Sequence, residues 1–144
     1  MTLAYPALIE PGDDGLALIV SFPDVPEAIT EGDTREEALE NAVEALGLAL
    51  LTYPRRNLPL PVPGETRADL VPVSVAPATA AKLAVLDTFR EAGISKTELS
   101  RRMNLDEKEV RRILDPVHAT KIGKLDAALA ALGRRMVLTV VDAA

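Results

Sequence analysis

From Thr2 to Glu10 the chain alternates, with Leu3, Tyr5, Ala7 and Ile9 on one side, the period of a β-strand. Pro6 interrupts it without an amide to donate, so this strand is expected at a sheet edge or a bulge. The turn-rich run Pro11-Gly12-Asp13-Asp14-Gly15 gives way to Leu16–Phe22, which is apolar almost throughout, as in a strand buried on both faces. Two strands around so short a turn predict a hairpin. Ala28–Glu31, after the break at Pro23–Pro26, predicts a short third strand. At Thr34 the period changes. Thr34 and Glu37 stand at capping-box spacing, and Leu39, Val43, Leu46, Leu50 and Tyr53 recur at three- and four-residue steps. A helix that packs one face on the sheet follows, its other side carrying Glu36, Glu37, Glu40 and Glu44. Pro54 is expected to stop it, the proline-rich stretch 54–64 to run extended, and Leu70–Val75 to form a fourth strand.

Residues 1–75 therefore read as a βββαβ unit, with Ala76–Thr79 as a linker. Beyond it the pattern is one of short helices. Ala80–Ala92 places Leu83, Leu86 and Phe89 on one face and is closed by Gly93. Ser95 with Glu98, and Asp106 with Glu109, repeat the capping-box spacing, opening one helix through Met103 and another that ends before Pro116. Thr120–Leu132 is amphipathic through Ile122, Leu125, Leu129 and Leu132 and stops at Gly133, and Arg135–Val141 reads as a final strand. The expected fold class is α+β: the βββαβ unit over 1–75, then a small helical unit over 76–144 ending in a strand.

The helical unit carries the most specific pattern. In SKTELSRRMNLDEKEVRRIL, residues 95–114, Leu99 and Met103 suit the inner face of one short helix and Ser100 is small where a second would cross it. Asn104 stands at the turn and tolerates a left-handed backbone, and Leu105, Val110 and Ile113 anchor the second helix. These are the demands of a helix-turn-helix, whose second helix, Glu107–Leu114, enters the DNA major groove. Lys108, Arg111 and Arg112 then point outward, with Arg111 the first candidate for base reading because its planar fork bonds two guanine acceptors. Ser95, Thr97, Arg101 and Lys121 are candidates for phosphate contacts. Glu107 and Glu109, beside the arginines, run against that reading. A single unit covers little DNA, so a homodimer or higher homo-oligomer on a palindromic site is expected, with Arg135–Val141 as the edge that pairs.

Charge sharpens the division. The net −6 separates into −9 for residues 1–75, with 4 Lys/Arg against 13 Asp/Glu, and +3 for residues 76–144, with 12 against 9. The basic half faces phosphate and the acidic half something basic. Absence of cysteine excludes disulfides and thiolate metal sites, and the lone His118 argues against a histidine metal site or a Ser-His-Asp triad. No cofactor is expected. The N-terminus has no signal-peptide pattern and no stretch is long and apolar enough for a transmembrane helix, so the expected location is the cytoplasm, away from membranes.

The segment YPALIEPGDDGLALIVSFPDVPEAITEGDTREEALENAVEALGLAL resembles the N-terminal domain of HicB antitoxins. The matching features are the hairpin, the Phe22-Pro23-Asp24 step, the Thr30-Glu31-Gly32-Asp33-Thr34 entry, the Glu37-Ala38 helix start and the LPLPVP exit. The second half, including KLDAALAALGRRM, resembles the Xre/Cro-like helix-turn-helix of one branch of that family. The resemblance implies a partial ribonuclease-H-like sheet and a partner, HicA, a small basic toxin that cleaves mRNA with a histidine. It also implies repression of the operon that encodes both proteins. Glu27, Glu31, Asp33, Glu36, Glu37 and Glu40 are the candidates for toxin contact, and the −9 charge agrees with a basic partner independently. A stand-alone HicB-domain transcription regulator is the alternative. A nuclease is disfavoured, because the acids concentrate in turns and on a helix face instead of converging on a pair of metal ions.

Overall fold

The computed structural model describes residues 1–142. Its elements are β1 (Ala4–Pro11), β2 (Leu18–Ser21), β3 (Ile29–Gly32), α1 (Arg35–Arg55), β4 (Val71–Ser74), α2 (Pro77–Ala92), α3 (Lys96–Met103), α4 (Glu107–Ile113) and α5 (Ile122–Ala131). The four strands form one antiparallel sheet in the order β3-β2-β1-β4, followed by helices, a mixed α+β chain. No helix among the described residues is long and apolar enough to cross a membrane.

Pro6 does not place its strand at an edge. β1 lies inside the sheet, but its halves pair differently: Leu8–Pro11 with β2, and Ala4–Ala7 with β4. Pro6 sits directly opposite Pro72. The bond from Val75 N to Leu3 O (2.9 Å) sets the parity of this ladder, and counting from it puts the two prolines at a non-hydrogen-bonded pair. Neither missing amide therefore removes a ladder bond. The second strand is also shorter than its apolar run. The Asp14 carboxylate accepts from the amides of Leu16 (2.9 Å) and Ala17 (3.4 Å), extending the turn, and leaves Leu16 81% exposed. Nor is β2 buried on both faces. Val20 is buried but Leu18, Ile19 and Ser21 are only partly so. For Ile19 and Ser21 the reason is that no helix among the described residues covers the second side of this antiparallel sheet.

On the covered side Tyr5, Ala7, Val20 and Val73 meet α1. Leu46 and Leu50 are fully buried as the spacing predicts, whereas Leu39, Val43 and Tyr53 are partly exposed. Ala38, Ala42 and Ala49 are buried in the same core, and their small side chains let the helix lie near the strands. Pro54 does not end α1, which runs on to Arg55. The stop is Asn57, left-handed at φ 54°, with Leu58 N bonded to Tyr53 O and Asn57 N to Pro54 O. That is a Schellman closure, in which proline in the last turn loses only one amide bond.

Pro77–Thr79, expected as linker, form the first turn of α2, where proline at the first position suits a helix start. This helix serves two cores: Leu83 joins the sheet core, and Ala81, Val85 and Leu86 join Leu99, Val110, Ile113, Leu125 and Leu129 in the second. Arg135–Val141 is in no strand. A strand requires a hydrogen-bonding neighbour, and within the described residues of one chain this segment has none; Val137, Leu138, Val140 and Val141 are 70–88% exposed.

Candidate functional site

α3 and α4 are joined by a turn whose geometry follows from one residue. Asn104 takes φ 53° and ψ 45°, the left-handed conformation expected of it, and Leu105 N reaches back to Ser100 O. The Ser100 hydroxyl donates to Leu105 O, which locks the turn from inside. Leu99, Val110 and Ile113 are buried, and Met103 and Leu105 pack against them. The N-caps also form as predicted: Ser95 Oγ accepts from Glu98 N (3.0 Å) and an Asp106 carboxylate oxygen from Glu109 N (2.8 Å).

The cationic side chains divide into free and engaged. Lys108, Arg112 and Lys121 are exposed and have no acidic partner among the described residues, and Arg111 makes only a 3.3 Å bond to Glu107 O. Arg101, by contrast, is clamped on Glu98 through two bonds of 2.6 and 2.9 Å, and Arg102 shares the same carboxylate. Thr97 donates to Glu107 (2.7 Å), and Lys124 pairs with Glu109 (3.3 Å). The two glutamates that ran against the basic face are each bonded to a neighbour, and neither carboxylate pairs with Lys108, Arg111 or Arg112 among the described residues.

The arginine pair holds the Glu98 carboxyl down to about 2, chiefly through the Arg101 hydrogen bonds and then those of Arg102. A carboxyl lowered in the folded state stabilises above its unfolded value and loses that contribution as pH falls through the folded one. We therefore expect part of the acid destabilisation to fall between about pH 4.5 and about pH 2. Glu98→Gln should flatten the melting temperature over that window, and an unchanged acid profile would contradict the assignment.

Lys82, packed behind α4, is a residue that sequence reasoning missed. It is 5% exposed, and its ammonium donates to Ile113 O (2.8 Å), Arg112 O (3.4 Å) and Thr120 Oγ1 (2.7 Å). All three protons are used on the C-terminal end of α4 and the loop after it, where the helix dipole favours a cation. Burial pushes the amine below its ordinary value, and the Asp115 carboxylate partly opposes this. A signal was present: Lys82 shares the helical face of Leu86 and Phe89, an unusual place for an unpartnered lysine.

The acidic candidates of the first half do not act as one set. Glu27 accepts from the Tyr53 hydroxyl (2.9 and 3.0 Å), and Glu37 accepts from Asp33 N (2.8 Å), so both have internal work. That helix-start bond reaches one residue further back than a capping box requires. Glu31, Asp33, Glu36 and Glu40 are exposed, with no cationic partner among the described residues. They lie on β3, at the entry to α1 and along its first turns. The candidates for toxin contact left out Glu44 and Leu48, which with Glu40 border a groove between α1 and α2. No group of three or more His, Cys, Asp or Glu side chains among the described residues could hold a metal ion.

Comparison with known proteins covers both halves. The family described as HicB_like antitoxin of bacterial toxin-antitoxin system matches residues 4–84. Antitoxin HicB 1 of Photorhabdus laumondii is 40% identical over 138 residues, covering 96% of this chain and 87% of that protein. Antitoxin HicB of Pseudomonas fluorescens is 39% identical over 133 residues, 91% of this chain and 88% of the relative. Antitoxin HicB of Escherichia coli K12 is 36% identical over 141 residues, 96% of this chain and all of the relative.

Proposed function

The chain belongs to the HicB-like antitoxins of bacterial toxin-antitoxin systems, and from that premise we propose that it binds and blocks a HicA-like mRNA-cleaving toxin and represses its own operon. The role is regulatory and not enzymatic. In this reading residues 1–75 are the toxin-binding unit, a partial ribonuclease-H-like sheet whose −9 charge meets a basic partner. Residues 76–144 are an Xre/Cro-like helix-turn-helix unit on operator DNA. Both partners would be met in the cytoplasm.

One observation carries the DNA half: α4 is held in the second core by Val110 and Ile113 while Lys108, Arg111 and Arg112 stay exposed and unneutralised by acids. With α4 in the major groove, Arg111 reads a base and Lys108 and Arg112 read bases or hold phosphates. Lys121, Ser95 and Thr97 are the proposed phosphate contacts, although the Ser95 hydroxyl already serves as a cap and the Thr97 hydroxyl already donates to Glu107. Arg101 is a weaker candidate because Glu98 holds it. Arg111→Ala is expected to weaken operator binding by about 1–3 kcal/mol and relax preference at one base position. Lys121→Ala should weaken all sequences alike and lower the salt slope by about one. Sequence preference that survives Arg111→Ala in an anisotropy titration would remove the base-reading role.

The exposed residues 137–141 supply the dimer contact, each copy giving the other the strand neighbour it lacks on its own. Truncation after Arg134 is then expected to yield a monomer by light scattering. For the antitoxin half the test is co-expression with a HicA-like toxin: a stable complex and restored growth support the reading, and free toxin beside free chain overturns it.

A further inference from the structure

We propose that the toxin seats in the groove between α1 and the start of α2 through a basic segment with an apolar face, an inference that rests on the antitoxin reading. Glu36, Glu40 and Glu44 stand one turn apart on α1 and form a ridge that continues into Leu48. Leu48 is 62% exposed, alone among the large apolar side chains of α1. Beside this ridge lies a hollow of about 260 Å³ floored by Gly47 and Leu51, with Thr79 of α2 on the far wall. Gly47 keeps the floor low, since a β-carbon there would already touch the Thr79 methyl at 3.4 Å.

The ridge has no lysine or arginine paired to it among the described residues. Like charges four residues apart destabilise a helix, so in the free chain these carboxylates work against α1. A cation bound alongside relieves that repulsion. A carboxylate ridge beside an apolar trough is complementary to a segment with Lys or Arg on one side and aliphatic side chains on the other. Nucleic acid does not fit, because its phosphates meet the same three charges. A second copy in a symmetric contact does not fit either, since it brings identical carboxylates to face them. Glu27 and Glu37, already satisfied inside the chain, are secondary to Glu40, Glu44 and Leu48.

The test titrates the full-length chain with the toxin from its own operon, silenced at its catalytic histidine, by calorimetry. Leu48→Asp and the double variant Glu40→Lys/Glu44→Lys alter exposed side chains, so both should stay folded and retain operator binding. Only weak charge pairs along the helix change, so melting temperatures should lie within a few degrees of the parent. Each is expected to lower toxin affinity by about tenfold or more, as at the centre of an interface. The loss from the charge reversal should shrink at high salt and that from Leu48→Asp should not. If the parent binds toxin and both variants bind as the parent does, the groove is overturned while the antitoxin reading stands. A parent that does not bind the toxin overturns that reading and the groove with it. A change in the oligomeric size of the toxin-free variants, with toxin affinity unaltered, assigns the groove to a second copy and also overturns the proposal.

Discussion

Gly32→Ala is expected to cost roughly 3 kcal/mol or more, enough to remove a large share of the stability of a domain this size. Gly32 ends β3 where the chain turns into α1, and it is buried. A β-carbon there would stand 2.7 Å from Ala38 Cα and 2.9 Å from the Glu37 carbonyl carbon. Both are backbone atoms of the first turn of α1, so no side chain can rotate away. The helix or the strand must shift, and a shift at this corner disturbs Ala38 and Ala42 against the sheet. A urea midpoint that falls with little change in slope would show the loss. Gly47→Ala is the control. It sits inside α1, and the nearest atoms a β-carbon would meet belong to the Thr79 side chain at ordinary contact distance. Replacing this helix-interior glycine should therefore be neutral or stabilise by up to about 1 kcal/mol. Equal behaviour of the two variants would refute the steric account.

Lys82→Met is expected to destabilise the helical unit by about 1–3 kcal/mol. The methionine fills similar volume but leaves Ile113 O, Arg112 O and Thr120 Oγ1 without their shared donor. Those acceptors lie at the end of α4, so the loss reaches the proposed recognition helix. Amide hydrogen exchange should quicken through α4 and the loop to Thr120, with β1–β4 unchanged. Operator affinity should fall with no change in which base is preferred, because Lys82 positions α4 and does not touch DNA. Relaxed base preference in Lys82→Met would instead make it a reader and contradict its burial.

Much of the chain's local structure was legible from composition and spacing. Thr34, Ser95 and Asp106 cap helices as their spacing to Glu37, Glu98 and Glu109 predicts, because a cap bond joins residues three apart and needs no distant partner. Asn104 is left-handed for the same reason. The alternation of β1 and the order of strands and helices also follow from local period. Some expectations failed for local reasons, Asp14 shortening β2 and Asn57 closing α1 in place of Pro54, and one failed because its partner is far away in the chain. Pro6 meets Pro72, whereas the first turn of α2 occupies the expected linker because Pro77 suits a helix start.

The exposed basic face of α4 shows the same division. By itself the sequence determined the two short helices, their caps, the left-handed turn between them and the outward positions of Lys108, Arg111 and Arg112. It determined as well that acid gathers in the first half and base in the second. Only the tertiary structure decided which charges remain available. Thr97 holds Glu107, Lys124 holds Glu109 and Glu98 holds Arg101, while a lysine from α2 fixes the end of α4. Caps and turns are settled by hydrogen bonds within a few residues, whereas Glu107, Glu109 and the Lys82 ammonium are engaged by partners 10, 15 and 31 positions away, brought together only by the fold.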